Sequence, residues 1–341
     1  MNDRITMTHG HGGAETAALI ESIFMPHFQN PYGSTARDAA LLPCYAPESA
    51  GVKPADAANP AMAFTTDSFV VKPLFFPGGD IGRLAVSGTV NDLLTAGAVP
   101  AFLSAAFILE EGLPVSDIQK IAASMAKTAA EAGVHIVTGD TKVVEGTGGL
   151  YINTAGVGYL SGPPVDFANA GPGCALLVTG ALGSHHACIL SQRMDIINDI
   201  ESDAAPLTGI VSALRQAGVP LLGMRDVTRG GLATVLNEIS TQYGLRAEIQ
   251  EALLPVTPSV EGLCGILGLD PLYMGNEGNM LIAVDDAQAD KALTIIRAQL
   301  YGTQAAQIGR LTEGKGVTLQ TKIGGRRQLP PLRGESLPRI C

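Results

Sequence analysis

A stretch of prolines and glycines near the middle of the chain is the strongest constraint on its fold. Residues 161–173 read SGPPVDFANAGPG, and the three prolines do not fit inside a helix or a central strand. Stretches of this kind separate domains. On both sides, apolar strand-like runs alternate with helical patterns, without the short, even rhythm of a barrel. The sequence therefore predicts an α/β (α+β) protein with two mixed domains, over residues 45–162 and 163–327.

Two further segments flank the predicted domains. Residues 1–44 join a glycine-rich arm, HGHGG, to a mild helical pattern, and residues 328–341 are rich in proline and end on Cys341. Proline-rich sequence favours an extended, solvated chain, so we expect a flexible tail. At about 3.3 Å per residue, the stretch from Gly334 to Cys341 would span about 23 Å, enough to carry a thiol into an interior site.

Composition argues against several classes of function. A chain of 341 residues, 46% of them hydrophobic, can bury a large core. The net charge of −10 makes nucleic acid an unexpected partner, because phosphate binding needs a basic face. We expect no membrane partner, since we find neither a bilayer-spanning apolar run nor a secretory leader. Five widely spaced cysteines, without a C-x-x-C pair, favour a reducing, cytoplasmic location.

The pattern of apolar residues predicts the elements of the two domains. The clearest helix is VSDIQKIAASMAKTAAEAGV, in which Ser116 and Gln119 form a capping box and Gly133 ends the helix. Further helices are expected in DIGRLAVSGTVNDLLTAGA and near residues 204–217, 230–243 and 286–300. PAFLSAAFIL is apolar enough to be a buried strand.

One apparent phosphate-binding motif is rejected. GRLTEGKG has the spacing G-x-x-x-x-G-K, but Gly316 stands where a serine or threonine would bind Mg²⁺. The segment also lies between two strand-like runs, not between a strand and a helix. We interpret it as a hairpin turn.

Four aspartates share a similar local setting, each beside a threonine or an asparagine: Asp67, Asp92, Asp140 and Asp226. Taken singly, such residues are usually turn or capping residues. Carboxylates gathered around a hard cation are also how Mg²⁺ is held against nucleotide phosphates. Four of them, with Lys142 beside Asp140, favour a magnesium–nucleotide site.

Glycine-rich segments offer two candidate phosphate contacts. HGHGG is flexible enough to fold over a ligand, and Gly230 and Gly231 open an amphipathic helix whose N-terminal N–H groups attract anions. The alternative for Gly230 and Gly231 is a plain tight turn. Glu277, flanked by glycines in YMGNEGNM, is either part of a surface turn or a carboxylate able to act as a base.

Histidine and cysteine side chains leave alternatives open. SHHAC places His185, His186 and Cys188 together, and we favour a surface pair at a helix start over a zinc site that needs further ligands. His9 in the glycine-rich arm is better placed to meet phosphate or a reacting group. The thiolate of Cys341 is repelled by the terminal carboxylate, so it needs a base, a cation or an activated donor. The alternative is an accidental cysteine at a disordered end.

The motifs together resemble the HypE-type hydrogenase maturation proteins. The segments that carry the resemblance cover nearly the whole chain, and the terminal one is the most specific: HGHGG, TTDSFVVKPLFFPGGDIG, GTVNDL, TGDTKVV, MRDVTRGGLATVLNE, GNEG and PRIC. That family belongs to a superfamily with aminoimidazole ribonucleotide synthetase and selenophosphate synthetase. The resemblance implies a homodimer whose N-terminal domains pair into a β-barrel, with ATP between the domains near the dimer interface.

The resemblance also implies an activity. A HypF-type carbamoyltransferase would carbamoylate Cys341, and the enzyme, an ATP-dependent carbamoyl dehydratase, would use ATP and Mg²⁺ to convert the thiocarbamate into a thiocyanate. The cyano group would pass to iron on a HypC–HypD-type complex, for [NiFe] hydrogenase. The implied catalytic residues are Cys341, Lys142, Glu277 and His9, and the implied metal ligands are Asp67, Asp92, Asp140 and Asp226. The implied ATP-binding residues are Gly10, Gly12, Gly13, Asp67, Asn91, Asp92, Thr138, Gly139, Asp140, Asp226, Gly230 and Gly231.

Two departures and two alternatives accompany this interpretation. His11 replaces the serine of the family's HGSGG, and GSHHAC replaces an acidic-His-Gly pattern. One alternative is another enzyme of the superfamily, such as selenophosphate synthetase or thiamine-monophosphate kinase, although MTHGHGG lacks the cysteine that a selenophosphate synthetase would want. The other is a non-catalytic scaffold that binds ATP and docks partners through its tail.

Overall fold

Two mixed α/β units, one on each side of the proline-rich stretch, make up the part of the chain that the structure describes. The computed structural model describes residues 39–42 and 62–332, together with Ala18. The strands are β1 (Ala40–Leu42), β2 (Met62–Phe69), β3 (Phe75–Phe76), β4 (Gly79–Asp80), β5 (Val99–Glu110), β6 (His135–Val144), β7 (Leu150–Tyr159), β8 (Ala175–Val178), β9 (Gly223–Asp226), β10 (Leu245–Gln250), β11 (Met280–Val284), β12 (Ala306–Glu313), β13 (Val317–Gln320) and β14 (Arg326–Gln328). The helices are α1 (Ile81–Thr95), α2 (Val115–Ala132), α3 (Ser184–Arg193), α4 (Thr208–Gln216), α5 (Gly231–Tyr243), α6 (Pro258–Leu267) and α7 (Ala289–Arg297). Short 3₁₀ turns occur at Phe167–Asn169, Glu251–Leu253, Pro271–Tyr273 and Asp286–Gln288.

The first sheet has five strands in the order β1-β2-β7-β5-β6. Its neighbouring strands are antiparallel except β5 and β6, which are parallel and are connected by helix α2. One face is covered by α1. On the other, the open face, Phe102 is 40% exposed and Ile108 47% exposed, so the prediction that β5 is a buried strand is wrong on that face. Successive side chains of a strand point to opposite faces of the sheet. The apolar run on β5 therefore places apolar side chains on both faces, although only one face is covered.

Helix α1 lies between the two units. Asp80 caps its start, because the Oδ1 atom accepts hydrogen bonds from the N–H groups of Gly82 and Arg83 at 2.7 and 3.0 Å. Almost every residue from Ile81 to Thr95 is buried, since β2 and β7 pack on one side and α4 and β9 on another. The amino-acid sequence is consistent with this burial, because most of the helix has no charged face.

Helix α2 was predicted correctly in position but not in its capping. It buries Ile121, Met125 and Ala129 on one face, and Gly133 ends it in the left-handed conformation at φ 73°. The capping box is wrong: the cap residue is Pro114, which makes no side-chain capping bond. Ser116 therefore lies inside the first turn, where its hydroxyl cannot cap.

The second sheet has seven strands in the order β14-β13-β10-β12-β8-β11-β9. The predicted hairpin in IGRLTEGKGVTL is wrong, because β12 and β13 lie on opposite sides of β10. Ala247 of β10 pairs with Leu311 on one side and with Val317 on the other. A turn-rich sequence between two strands does not reveal that a third strand lies between them.

Two predicted helices are shorter than expected. The helix near residues 204–217 begins only at Thr208 and ends at Gln216; at its cap, the N–H of Leu207 donates to the side chain of Asn91 in α1 at 2.9 Å. The helix near 286–300 opens with a 3₁₀ turn and ends at Arg297. The helix near 230–243 is confirmed as Gly231–Tyr243.

Polar bonds and a shared core join the two units. The guanidinium of Arg83 donates to the carbonyl of Ala204 at 2.6 Å, and that of Arg215 donates to the carbonyl of Gly97 at 2.6 Å. One hydrophobic cluster contains residues of both units, such as Ile81 and Met280. In the part of the chain that the structure describes, no helix is long and apolar enough to cross a membrane.

The chain stays packed beyond the last strand. Leu329 is buried, and the carbonyl of Pro330 accepts a hydrogen bond from the Tyr273 hydroxyl at 2.8 Å. The residues from 328 to 332 are therefore attached to the second unit, although the tail was predicted to begin at residue 328. Cys341 lies outside the described residues.

Candidate active site

Two of the four predicted aspartates meet at the contact between β2 and α1. Thr65 and Asp67 are two residues apart on β2, so both side chains lie on the face that α1 covers. The Thr65 hydroxyl donates to the Oδ2 atom of Asp92 at 2.8 Å. The Oδ2 atom of Asp67 lies 3.8 Å from where a Cβ would be at Gly88, one helical turn before Asp92. The fold therefore places both carboxylates at the contact between β2 and α1, about one helical turn apart along α1.

Glu277 lies where the two units meet, in the loop before β11. Its side chain is only 7% exposed. Its pKa is raised well above the usual range, mainly because burial disfavours the carboxylate and then because Asp67, Asp203 and Asp226 repel its charge. Arg229 acts in the opposite direction. We call these five residues the interdomain charge cluster.

The pKa values of Asp67 and Asp203, two other carboxyl groups of the interdomain charge cluster, are also raised. Burial raises the pKa of Asp67, although Arg229 and the N–H of Ser68, 2.9 Å away, partly offset this effect. Burial raises the pKa of Asp203 to about 6, against the hydrogen bonds that this carboxyl accepts from the N–H groups of Glu277 and Gly278. Four carboxyl groups face one guanidinium, so the cluster would be stabilised by a bound cation or by protons.

The start of helix α5 lies directly after Asp226 and Arg229. Gly230 and Gly231 both have left-handed backbones, with φ of 79° and 64°. A Cβ on Gly231 would lie 2.6 Å from the carbonyl oxygen of Leu272, which precedes the Glu277 loop. Only glycine fits at position 231 without strain. The close approach at Gly231 places the N-terminus of α5 next to the segment that leads into the Glu277 loop.

Replacing Gly231 with alanine is expected to destabilise the protein strongly. The left-handed conformation alone costs an alanine about 1–2 kcal/mol, and the contact with Leu272 adds to that cost. Gly262, inside helix α6, is the matched control: an added Cβ would meet nothing within 4 Å there, and Gly262→Ala should stabilise by about 0.5–1 kcal/mol. Urea unfolding measures both. A Gly231→Ala protein as stable as the parent would contradict the backbone described here.

Asn91, predicted to contact ATP, makes a contact between the two units. Its Nδ2 donates to the carbonyl of Ala205 at 3.0 Å, and its Oδ1 accepts from the N–H of Leu207. A weaker bond of 3.5 Å reaches the carbonyl of Glu277. The side chain therefore joins α1 to the segment 205–207 and, more weakly, to the Glu277 loop. The contact with ATP stays a prediction.

The predicted residues on β6 lie apart from the cluster. Asp140 pairs across the sheet with Ala106, which pairs with Asn153, which pairs with Ser68 of β2. Paired residues share a face, so Asp140 lies on the open face, opposite to Asp67. Three strand spacings of about 4.8 Å put β6 about 14 Å from β2. Within one chain, the four aspartates are not brought together.

The other residues on β6 follow the same strand. Lys142 forms an exposed ion pair with Asp140 at 2.8 Å, and Thr138 and Gly139 precede them on the strand. In the described ranges, no group of three or more His, Cys, Asp or Glu side chains is arranged to hold a metal ion. The magnesium ligands therefore stay predictions. His9, Gly10, Gly12, Gly13 and Cys341 lie outside the residues that the structure describes.

Comparison with known proteins identifies the family. The N-terminal domain of AIR synthase related proteins matches residues 37–160, and the C-terminal domain of the same proteins matches residues 171–322. A carbamoyl dehydratase HypE of Cupriavidus necator is 46% identical over 345 residues, which cover 99% of this chain and 95% of the relative. The chain belongs to the HypE family. The family resemblance predicted from the motifs is thus confirmed.

Solved structures of HypE proteins share this fold. A HypE–HypF complex contains a chain with a TM-score of 0.84 and 45% identity, covering 92% of this chain and all of the other. A HypE in complex with ATP has a TM-score of 0.79 and 42% identity, covering 99% of this chain and all of the other. The two AIR synthase-type domains of the HypE family are therefore present here.

The histidine pair at the start of α3 lies next to the interdomain charge cluster. His185 and His186 begin helix α3 as predicted, but both are buried, so the prediction of a surface pair is wrong. Burial lowers the pKa of His185 to about 3 and that of His186 to about 4, so both imidazoles are neutral near pH 7. The Nδ1 atom of His185 bonds to the Ser202 hydroxyl at 2.7 Å. This histidine therefore supports the segment that carries Asp203.

Sequence reasoning missed two members of the interdomain charge cluster. Asp203 lies in ESDAAP, where only its position before small residues and a proline sets it apart. Arg229 lies in RDVTRGG, where the predicted site residues were Asp226, Gly230 and Gly231. Both come close to Glu277 only through the contact of distant segments, which no local pattern reports.

Proposed function

We propose that this protein is an ATP-dependent carbamoyl dehydratase that acts on an S-carbamoyl group carried by its own Cys341. The product would be a thiocyanate on the same sulfur, which supplies cyanide ligands for the iron of [NiFe] hydrogenase. The full-length likeness to HypE carbamoyl dehydratases carries the proposal. The buried Glu277, with its raised pKa, supplies the group that the chemistry needs.

The reaction needs an activated oxygen and a base. An amide oxygen is a poor leaving group, and transfer of the γ-phosphoryl group of ATP to that oxygen makes it a good one. The C–O bond then breaks as phosphate leaves, and the two N–H protons are lost as the C≡N bond forms. A carboxylate with a raised pKa is a strong base once ionised, so we assign proton removal to Glu277. His9 is the alternative base.

The phosphates would lie at the start of α5. The backbone N–H of Gly230 is at the positive end of the helix dipole, and Arg229 adds a positive charge, whereas the N–H of Gly231 donates to the carbonyl of Thr228 at 3.0 Å. We infer that Asp67, Asp92 and Asp226 contribute to a Mg²⁺ site that forms with the bound nucleotide, because Mg²⁺ takes few carboxylate ligands and completes its coordination with phosphate oxygens and waters. When bound, this ion neutralises charge on the phosphates.

Two copies are needed to complete the site that we propose. On the open face of the first sheet, five apolar side chains are between 38% and 47% exposed: Phe64, Phe102, Ile108, Val144 and Tyr159. Among the described strands, β6 pairs only with β5, so its outer edge is available for pairing. A large exposed apolar face next to an open strand edge indicates an interface. We infer a homodimer in which the first sheets form a barrel and each β6 brings Asp140 and Lys142 to the partner's nucleotide.

The reaction also needs a donor and an acceptor. A relative has been solved in a HypE–HypF complex, and we propose a HypF-type carbamoyltransferase as the donor to Cys341. We propose a HypC–HypD-type complex as the acceptor of the cyano group. We also propose that the two domains divide at residue 162, that residues 1–44 form the arm, and that a flexible tail ends on Cys341.

Intact mass spectrometry tests the proposed function directly. After incubation with a HypF-type enzyme, the protein should gain one carbamoyl group, and addition of MgATP should then remove the mass of one water. Cys341→Ser should abolish both changes, whereas Cys174→Ser, at a buried cysteine of the second unit, should preserve them. An unmodified Cys341 with ATP hydrolysis running regardless would favour a kinase-like activity.

A further inference from the structure

The loop that carries Glu277 is held at its backbone by one buried carboxylate. The N–H of Glu277 donates to Oδ1 of Asp203 at 3.1 Å, and the N–H of Gly278 donates to Oδ2 at 3.2 Å. On the other side, the carbonyl of Glu277 accepts a bond from the N–H of Ala205 at 3.4 Å. Donor and acceptor groups of the same residue are thus both fixed by the segment 203–205.

Asp203 is itself held rigidly. Its neighbour Ser202 bonds through its hydroxyl to His185 at 2.7 Å and through its N–H to the carbonyl of Pro77 at 2.8 Å. A Cβ on Gly278 would lie 1.8 Å from the carbonyl oxygen of Asp203, so only glycine allows the two segments to approach this closely. The loop therefore has little freedom to move relative to Asp203.

We propose that Asp203 is a positioning residue for the Glu277 carboxylate. The inference rests on the proposed function, in which Glu277 removes a proton from the carbamoyl nitrogen. A base must lie within hydrogen-bond reach of that proton, and a displacement of about 1 Å in such a group can cost about 100-fold in rate. Burying a carboxylate beside other carboxylates is costly, and hydrogen bonds from backbone N–H groups offset that cost. The bonds from Glu277 and Gly278 act most strongly on the pKa of Asp203, ahead of those from the N–H groups of Asp203 itself and of His185.

Asp203→Asn is the informative substitution, because it changes the volume little and removes one of the two acceptor atoms. The amide nitrogen of asparagine is a donor, so it cannot accept the second backbone N–H. Water loss from the carbamoylated protein should slow by about 10-fold to 100-fold at saturating ATP. The ATP concentration for half-maximal rate should stay unchanged. Asp199→Asn, an exposed aspartate whose Oδ1 accepts from Ser259, is the matched control and should leave the rate unchanged.

A double-mutant cycle with Glu277→Gln separates positioning from general support of the fold. If Asp203 acts through Glu277, Asp203→Asn should produce no further loss in the Glu277→Gln background. An equal loss in both backgrounds, or a weaker affinity for ATP at an unchanged rate, would overturn the inference while leaving the proposed function in place. A fully active Glu277→Gln protein would overturn the role of the base and this inference with it.

A measurement on the unsubstituted protein guards against a variant that does not fold. Hydrogen exchange of the full chain should show the amides of Glu277 and Gly278 protected about as strongly as those of the neighbouring strand β11. Rapid exchange at both amides would show that Asp203 does not hold the loop, and would refute the inference.

Discussion

Glu277→Gln is expected to slow ATP-dependent water loss from the carbamoylated protein by about 10²–10⁴-fold, the usual contribution of a positioned general base. Glutamine keeps the shape of the side chain but cannot take a proton from nitrogen. Glu277 is not among the residues that we assign to ATP binding, so the ATP concentration for half-maximal rate should change little. Quenched-time-point mass spectrometry gives the rate, and Glu313→Gln, an exposed glutamate on β12, is the control.

The same substitution should change stability in a direction set by the raised pKa of Glu277. Folding raises this pKa, so the stabilisation is present below the unfolded pKa and is lost as the pH rises through the folded value. Glutamine resembles the protonated form at every pH. Without nucleotide or metal, the melting temperature of Glu277→Gln relative to the parent should therefore increase as the pH rises from below the unfolded pKa of Glu277 through its raised folded pKa. A difference that stays constant with pH would show that folding does not raise the pKa of Glu277.

The sequence predicted well those features that depend on local patterns. The periodic apolar residues predicted the position of α2, and Gly133 predicted its end, because both signals lie within or next to a single helix. The glycines at the start of α5 were also recognisable, since two adjacent left-handed residues require them. The family followed from several short motifs together, none of which was sufficient alone.

The sequence could not predict features that depend on distant segments. Asp203 and Glu277 are separated by more than seventy residues, and only the packed structure shows that one holds the backbone of the other. The false hairpin at IGRLTEGKGVTL failed for the same reason, since β10 lies between β12 and β13. Asp140 resembles Asp67 in local sequence, yet the pairing through β5 and β7 places it on the opposite face of the sheet.

The position of Asp140 and Lys142 leads to the second prediction, in which two inactive proteins restore activity together. If the proposed dimer is correct, each site combines Glu277 of one copy with Lys142 of the other. Lys142→Ala and Glu277→Gln homodimers should each be nearly inactive. A mixed dimer would contain one site with both residues intact and one site lacking both, so we expect about half of the parent rate.

Co-expression with two different affinity tags and sequential purification would isolate the mixed dimer, and mass spectrometry of the carbamoylated protein would give its rate. If Lys142 acted on the nucleotide of its own chain, both sites of the mixed dimer would carry one defect and activity would stay absent. The structure favours the first result, because about 14 Å and the sheet itself separate β6 from Asp67 within one chain.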